Sequence, residues 1–181
     1  MGTIITLCTD FGTRDGYVAA MKGVILSLAP GAQLVDITHE VAPQAVREAA
    51  FVLASSYGYF PPGTVHLVVV DPGVGSDRRL LAVRAGHYYF VAPDNGVLSL
   101  ALRAQATFEA VALTRPAYWR EEVSCTFHGR DILAPVAAHL ANGVPLSALG
   151  EPLRELVQLA VPVPVRQGRM IVGHVLHIDR F

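Results

Sequence analysis

The sequence predicts a layered α/β fold in which helices flank a mainly parallel central sheet. Apolar, β-branched runs such as residues 64–70 indicate buried strands, and they alternate along the chain with stretches of helical periodicity. This order of strand, helix, strand and helix is typical of parallel sheets with helices packed on their faces. The chain has 181 residues, of which 52% are hydrophobic and 16% charged, so it can form a substantial core.

The first half of the chain shows the clearest alternation of elements. Val18, Met21, Ile25 and Leu28 lie on one face of a predicted helix, which Pro30 and the following glycine terminate. We expect strands over residues 4–8, 33–38 and 64–70 and helices over residues 17–28 and 43–57.

The second half repeats this pattern with shorter elements. Two short strands enclose a turn at Gly86, and Asn142 with Gly143 ends the last predicted helix. We expect strands over residues 80–84, 88–92 and 109–114, and helices over residues 97–102 and 131–141.

The composition of the chain changes after residue 151. Two prolines interrupt the apolar stretch 157–165, which suits a linker better than a central strand. We expect an α/β domain over residues 1–151, a linker over 152–167, and the first strand of a β-rich second domain over 168–181. Because a strand at a chain end has no later partner, we expect that second domain to be cut off at the C-terminus.

Charge and cysteine usage disfavour several kinds of partner. The net charge is −1 and no basic stripe is present, so we expect neither nucleic acid nor a membrane as a partner. No apolar run is long enough to span a bilayer and no charged leader precedes an apolar segment, so we expect a cytoplasmic protein. Cys8 and Cys125 form no metal-binding pattern, so we expect no metal site, and Cys8 is expected to be a buried apolar residue.

Carboxylates occupy three turns that follow predicted strands. These are Asp10, Asp71 and Asp94, the last beside Asn95. Since α/β sheets bind ligands at the carboxyl ends of their strands, we expect at least two of these groups to converge. Carboxylates and amides there suit the paired hydroxyls of a sugar. The alternative is that they only cap turns or helices, which we favour for Asp94 and Asn95 taken alone.

Two further polar residues extend this candidate site. Arg78 lies just beyond the turn that Asp71 begins and can fold back over the same crevice. His128 precedes a predicted helix N-terminus, where the helix dipole favours a neutral imidazole that can orient or deprotonate a water. A purely structural role is the alternative for His128. The chain lacks the glycine-rich nucleotide motifs and the GxSxG elbow, which disfavours dinucleotide, nucleoside triphosphate and serine hydrolase chemistry.

Four motifs occur in a fixed order along the chain. They are Thr9-Asp10-Phe11-Gly12, Asp71-Pro72-Gly73-Val74-Gly75, Ala92-Pro93-Asp94-Asn95-Gly96 and Phe127-His128-Gly129-Arg130-Asp131. Together they resemble the S-adenosyl-L-methionine (SAM) hydroxide adenosyltransferases, relatives of the fluorinase and chlorinase. The resemblance covers the whole chain.

The resemblance implies an enzyme that hydrolyses SAM to adenosine and L-methionine through attack of a water-derived hydroxide on C5′. It implies that Asp71, Arg78 and His128 are catalytic residues. Arg79 is the alternative to Arg78 as the catalytic arginine. The resemblance also implies that Asp10 binds the ribose hydroxyls, and that SAM is a substrate, so no cofactor is expected.

Further expectations concern the assembly and the remaining polar residues. We add Asp94 and Asn95 to the candidates for substrate binding, because they lie in the third motif. The resemblance also implies a homotrimer in which the second domain of a neighbour contacts SAM. We therefore expect impaired activity if the chain stops before that domain.

Two other functions stay open at the level of the sequence. One is a module that binds adenosine or SAM without turnover, and the other is a halide-dependent adenosyl transferase. Asp71 and His128 are polar and favour a water over a desolvated halide.

Overall fold

The computed structural model describes residues 2–179 and contains the predicted α/β layers. The strands are β1 (Ile4–Thr9), β2 (Gln33–Thr38), β3 (Val65–Val69), β4 (Leu80–Ala85), β5 (Tyr88–Pro93), β6 (Phe108–Leu113), β7 (Gly150–Leu153), β8 (Val165–Gln167) and β9 (Met170–Val172). The helices are α1 (Tyr17–Leu28), α2 (Val46–Ser56), α3 (Ser99–Arg103) and α4 (Ala134–Ala141). One π-helical turn, Gly129–Leu133, precedes α4, so the last predicted helix begins earlier and less regularly than expected.

Seven strands form the central sheet in the order β2-β1-β3-β5-β4-β6-β7. The four strands β2, β1, β3 and β5 pair in parallel, whereas β4, β6 and β7 pair with antiparallel neighbours. β4 and β5 are antiparallel because the short turn at Gly86 leaves no room for a crossover connection. The layered α/β fold is confirmed, and five strands share one direction while β4 and β7 run the opposite way.

One face of the sheet packs against α1 and α4. Met21 and Ile25 of α1 and Val136 of α4 are fully buried in one cluster with Leu7 and Leu67 of the sheet. Burial of each such side chain stabilises the fold by about 1.5–3 kcal/mol. None of the helices within residues 2–179 is long and apolar enough to cross a membrane.

The other face of the sheet packs against α2 and α3. Leu53 of α2 and Leu102 of α3 join a cluster that includes Phe90 and Cys8. Burial raises the pKa of the Cys8 thiol to about 12, and the neighbouring Asp10 charge acts in the same direction. The prediction that Cys8 is a buried apolar residue is therefore confirmed.

The expected linker over residues 152–167 includes part of the central sheet. β7 pairs with β6 up to Leu153, and a Cβ at Gly150 would lie 1.6 Å from the carbonyl oxygen of Ala112. Only glycine therefore allows the two backbones to approach this closely. The sheet ends two residues beyond the expected boundary at residue 151.

The expected strand over residues 168–181 is instead part of a hairpin. β9 covers Met170–Val172 and pairs with β8, which lies in the expected linker. The reason is local, since Gly168 adopts a φ of 62° and turns the chain. Residues 173–179 form no strand, and residues 180 and 181 lie outside the described part of the chain, as does Met1. The division into domains stays a prediction.

Candidate active site

The candidate site lies between the carboxyl ends of β1 and β3, which are neighbours in the sheet. From β1 the chain passes through α1 to β2 on one side, and it then returns through α2 to β3 on the other side. Such reversals of strand order open a crevice at the carboxyl ends of the strands. Asp10 follows β1 directly and Asp71 follows Val70 after β3. Two of the three candidate carboxylates therefore converge here, whereas Asp94 does not line this crevice.

A cavity of about 250 Å³ occupies this crevice, and we call it the front cavity. Its lining combines carboxylates, an imidazole and aromatic rings, and it draws on four separate loop segments and on β3. The lining residues are Asp10, Phe11, Pro43, Gln44, Val69, Asp71, Val74, Thr126, Phe127, His128 and Gly129. Three of the four sequence motifs thus contribute to one cavity.

Asp71, Arg78 and His128 form a continuous hydrogen-bonded triad. Arg78 Nε donates to Asp71 Oδ1 at 2.9 Å and to Oδ2 at 2.8 Å, and Arg78 Nη2 donates to Oδ2 at 2.6 Å. Arg78 Nη2 also donates to His128 Nδ1 at 2.8 Å. The side chains of Asp71 and Arg78 are only 6% and 11% exposed, so this ion pair is largely buried and held in one geometry.

The glycine-rich turn after Asp71 explains how Arg78 reaches back. Gly75 has a φ of 79°, and a Cβ there would lie 2.8 Å from the carbonyl oxygen of Cys125. The Ser76 hydroxyl donates to the Gly73 carbonyl at 2.6 Å and closes the turn. Arg78 therefore folds back to the Asp71 carboxylate as predicted, but it is not among the residues that line the front cavity.

His128 is neutral, and its tautomer follows from its partner. An arginine side chain can only donate, so His128 Nδ1 accepts and the ring proton lies on Nε2. Burial lowers the pKa of His128, and the Arg78 charge lowers it further. A neutral ring was predicted from the helix dipole, whereas the causes found are burial and the neighbouring guanidinium.

Arg79 lies outside this triad. Its Nε donates to Asp94 Oδ2 at 2.8 Å, and its Nη2 contacts the same oxygen and the Glu155 carbonyl. Successive side chains of an extended segment point to opposite sides, so the two consecutive arginines reach two different carboxylates. The geometry therefore distinguishes Arg78, which contacts Asp71, from Arg79, which contacts Asp94.

Asp94 and Asn95 hold the turn after β5 and do not line the front cavity. Asp94 is 2% exposed and accepts from Arg79 and from the Val157 backbone N–H at 2.8 Å. Asn95 donates to the Val70 carbonyl at 2.8 Å and accepts from the Val97 N–H at 3.1 Å. The latter bond is an Asx turn, which was the alternative favoured for this pair. Their role in substrate binding stays a prediction.

Gln44 is a site residue that the sequence did not point to. Its N–H donates to Asp10 Oδ2 at 2.7 Å, and among residues 2–179 it is the one non-glycine residue with a positive φ, 64°. Within that described part of the chain, Asp10 Oδ1 receives no hydrogen bond. Asp10 thus keeps one oxygen available while the other is held. No glycine or asparagine marks position 44, so the sequence carries no signal for this conformation.

Asp131 holds the loop that carries His128. Its carboxylate is fully buried and accepts from Arg120 Nη1 at 2.9 Å, Arg130 Nε at 2.6 Å and the Ser124 N–H at 2.9 Å. Burial raises the pKa of Asp131, but these hydrogen bonds outweigh it and hold the pKa well below its usual range.

Comparisons with known proteins were consistent with these motifs. The family described as SAM hydroxide adenosyltransferase N-terminal domain matches residues 5–150. A protein from Salinispora arenicola named (R)-S-adenosyl-L-methionine hydrolase is 44% identical over 180 residues, which is 98% of this chain and 69% of that protein. A fluorinase from an Actinoplanes species is 31% identical over 202 residues, which is 97% of this chain and 68% of that protein.

A solved structure has the same fold. The crystal structure of an uncharacterized conserved protein from Thermotoga maritima superposes with a TM-score of 0.93 at 42% sequence identity. The likeness covers 98% of this chain and 68% of that one.

Proposed function

The chain belongs to the SAM hydroxide adenosyltransferase family, and from this premise we propose that it hydrolyses SAM to adenosine and L-methionine. The observation that carries the proposal is that Arg78 Nη2 donates to both the Asp71 carboxylate and the His128 ring. This arrangement can hold and polarise one water beside a cavity that also contains the Asp10 carboxylate.

We assign the ribose of SAM to the front cavity. Asp10 Oδ2 is held by the Gln44 N–H, which leaves Oδ1 to accept from a ribose hydroxyl. Asp10 and Asp71 line the same cavity, so a ribose bound at Asp10 has its C5′ within that cavity beside the triad. This position supports attack on C5′ from the side of Asp71 and His128.

The triad supplies donors and one acceptor to the attacking water. A carboxylate has about four lone-pair positions, and Asp71 receives two hydrogen bonds at Oδ2 but one at Oδ1. Asp71 Oδ1 can therefore accept a water proton, while the Nε2–H of His128 can donate to the water oxygen. Negative charge that develops on that oxygen is stabilised by the nearby guanidinium of Arg78.

The reaction balances without a cofactor. A C5′–O bond forms, the C5′–S bond breaks, and its electron pair goes to the sulfur of methionine. The sulfonium is already a good leaving group, so no acid is needed at the sulfur. One proton of the water passes to Asp71 and then to solvent, and the other stays on the 5′-hydroxyl of adenosine, so each turnover releases one proton. The catalytic work of the site is to orient the water in line with the C5′–S bond.

Product analysis tests the proposal. The purified chain is incubated with SAM, adenosine and methionine are quantified, and proton release is followed in weak buffer. Equal amounts of adenosine, methionine and protons support hydrolysis. SAM-dependent thermal stabilisation without products supports the alternative of a binding module. A halogenated adenosine formed only with added halide supports the adenosyl transferase alternative.

We propose a homotrimer as the assembly, with SAM as the small-molecule partner. The family likeness supports this stoichiometry. Native mass measurement of the purified chain tests it, and a monomer or dimer under native conditions would contradict it.

A further inference from the structure

A second cavity, of about 310 Å³, lies on the other side of the triad, and we call it the rear cavity. The two cavities share His128, while Asp71 lines the front cavity and Arg78 lines the rear one. The Asp71–Arg78 ion pair therefore stands between the cavities. Apart from Arg78, Arg79 and His128, the rear cavity is lined mainly by apolar side chains, among them Trp119 and Val123, and by Thr114.

The rear cavity offers no counter-charge to a charged ligand, and the few polar groups among its mainly apolar walls are hydrogen-bonding partners for water. Arg78 and Arg79 are each paired with a carboxylate, so neither contributes an uncompensated positive charge. The Thr114 hydroxyl and the polar groups of the triad offer hydrogen bonds, and the cavity has volume for roughly ten waters at ~30 Å³ each. Thr114 is exposed and Val123 is 40% exposed, so the cavity communicates with bulk solvent.

Turnover of SAM creates a need for such a cavity. Each cycle consumes one water on the face of C5′ opposite the sulfur, the face turned to the triad. Substrate in the front cavity covers the approach from that side. A replacement water then has to reach the triad from behind, where Arg78 and His128 border the rear cavity.

We propose that the rear cavity is the water-supply site of the triad, from which the nucleophile of each turnover is drawn. This inference rests on the proposed function. Because the rear cavity is separate from the position assigned to the ribose, closing it should slow the chemistry and leave nucleoside binding intact.

The test narrows the cavity at its rim without altering the triad. Val123→Phe and Thr114→Phe, alone and together, enlarge two exposed side chains of the rim. Val35→Phe is the matched control, because Val35 is 38% exposed on β2 and lines neither cavity. Trp119, the single tryptophan of the chain, lines the rear cavity, so acrylamide quenching of its fluorescence reports access independently of activity.

We expect the double variant to show reduced quenching of Trp119 and a kcat lowered about tenfold or more. Its adenosine affinity and its melting temperature should match those of the wild type, and Val35→Phe should match the wild type in every measurement. A double variant with wild-type kcat overturns the proposal, whatever the quenching shows. A loss of adenosine affinity as large as the loss of kcat also overturns the proposal, because the rear cavity would then belong to the nucleoside site. If the wild type itself releases no adenosine and methionine, the proposed function fails, and this inference fails with it.

Discussion

The backbone N–H of Gln44 donates to Asp10 Oδ2 at 2.7 Å, while Gln44 is held at a φ of 64°. A non-glycine residue in the left-handed region costs about 1 kcal/mol, so the surrounding structure has to impose this conformation. The strained residue lies beside the carboxylate that we assign to the ribose, and it orients that carboxylate through a charge-assisted bond.

Substitution of Gln44 separates its backbone role from its side chain. Gln44→Pro removes the N–H and forces a negative φ, so we expect adenosine affinity to fall about tenfold, as for loss of a hydrogen bond to a charged group. Gln44→Gly keeps both the N–H and the positive φ, and it should bind adenosine within about threefold of the wild type. Calorimetric titration with adenosine measures both values. Equal affinities of the two variants would contradict the role of the Gln44 backbone.

Asp10 itself should determine nucleoside affinity. Asp10→Asn replaces one acceptor oxygen by a donor, so we expect adenosine binding to weaken by about 1–3 kcal/mol. The melting temperature shows whether the fold of the variant is retained. Unchanged adenosine affinity combined with a lower melting temperature would assign Asp10 to the structure of its turn alone.

The two consecutive arginines should behave differently when each is replaced. Arg78→Ala removes the contact between Asp71 and His128, so we expect SAM turnover to fall on the order of a hundredfold or more. Arg79→Ala leaves the triad intact but removes a partner of the buried Asp94, so it should destabilise the fold by about 1–3 kcal/mol and retain most of the turnover.

Steady-state rates and denaturant unfolding of the same two proteins provide the check. Full activity of Arg78→Ala would exclude it from the chemistry. A selective loss of turnover in Arg79→Ala would transfer the catalytic role to its neighbour.

The pH dependence of turnover should reflect His128. Burial and the Arg78 charge lower the pKa of His128, so the ring stays neutral as the pH falls below the ordinary value of 6.5. Protonation would turn Nδ1 from an acceptor into a donor that faces the Arg78 N–H. The hydrogen bond between His128 and Arg78 would then be lost. We therefore expect kcat/KM to be constant at neutral pH and to fall on an acidic limb whose midpoint lies below 6.5. A pH profile of wild type and His128→Asn checks this, because the variant should lack the limb.

The stability of the fold should depend on pH through His66. This side chain is fully buried, its Nδ1 lies 2.8 Å from the Thr6 hydroxyl, and burial lowers its pKa to about 4. Between pH 6.5 and 4 the unfolded chain binds a proton at His66 that the folded chain does not. The stabilisation that neutral His66 contributes is therefore fully present above pH 6.5. It is lost as the pH falls, and the free energy of unfolding is lower by about 3 kcal/mol at pH 4.

Unfolding free energies from pH 4 to 8 test this prediction. His66→Gln should show a shallower decrease than the wild type, since it has no proton to gain. His87→Gln, at an exposed position, is the control and should follow the wild type. Parallel curves for His66→Gln and the wild type would contradict the prediction.

Much of this protein could be predicted from the sequence by itself. The alternation of apolar strands and amphipathic helices predicted the α/β layers, because hydrophobic periodicity depends only on local sequence. Asp71 at the end of a buried strand, followed by proline and two glycines, predicted a carboxylate at the edge of the sheet and a turn that returns Arg78 to it. These features involve residues close together in the chain.

The tertiary structure decided the relationships between residues far apart in the chain. Arg78 and His128 are 50 positions apart, and only the packing of the π-helical turn beside β3 joins them. The choice between Arg78 and Arg79 depended on which side of the chain faces Asp71 and which faces Asp94. The positive φ of Gln44 and the rear cavity also follow from packing, because neither depends on a local preference that a sequence pattern records.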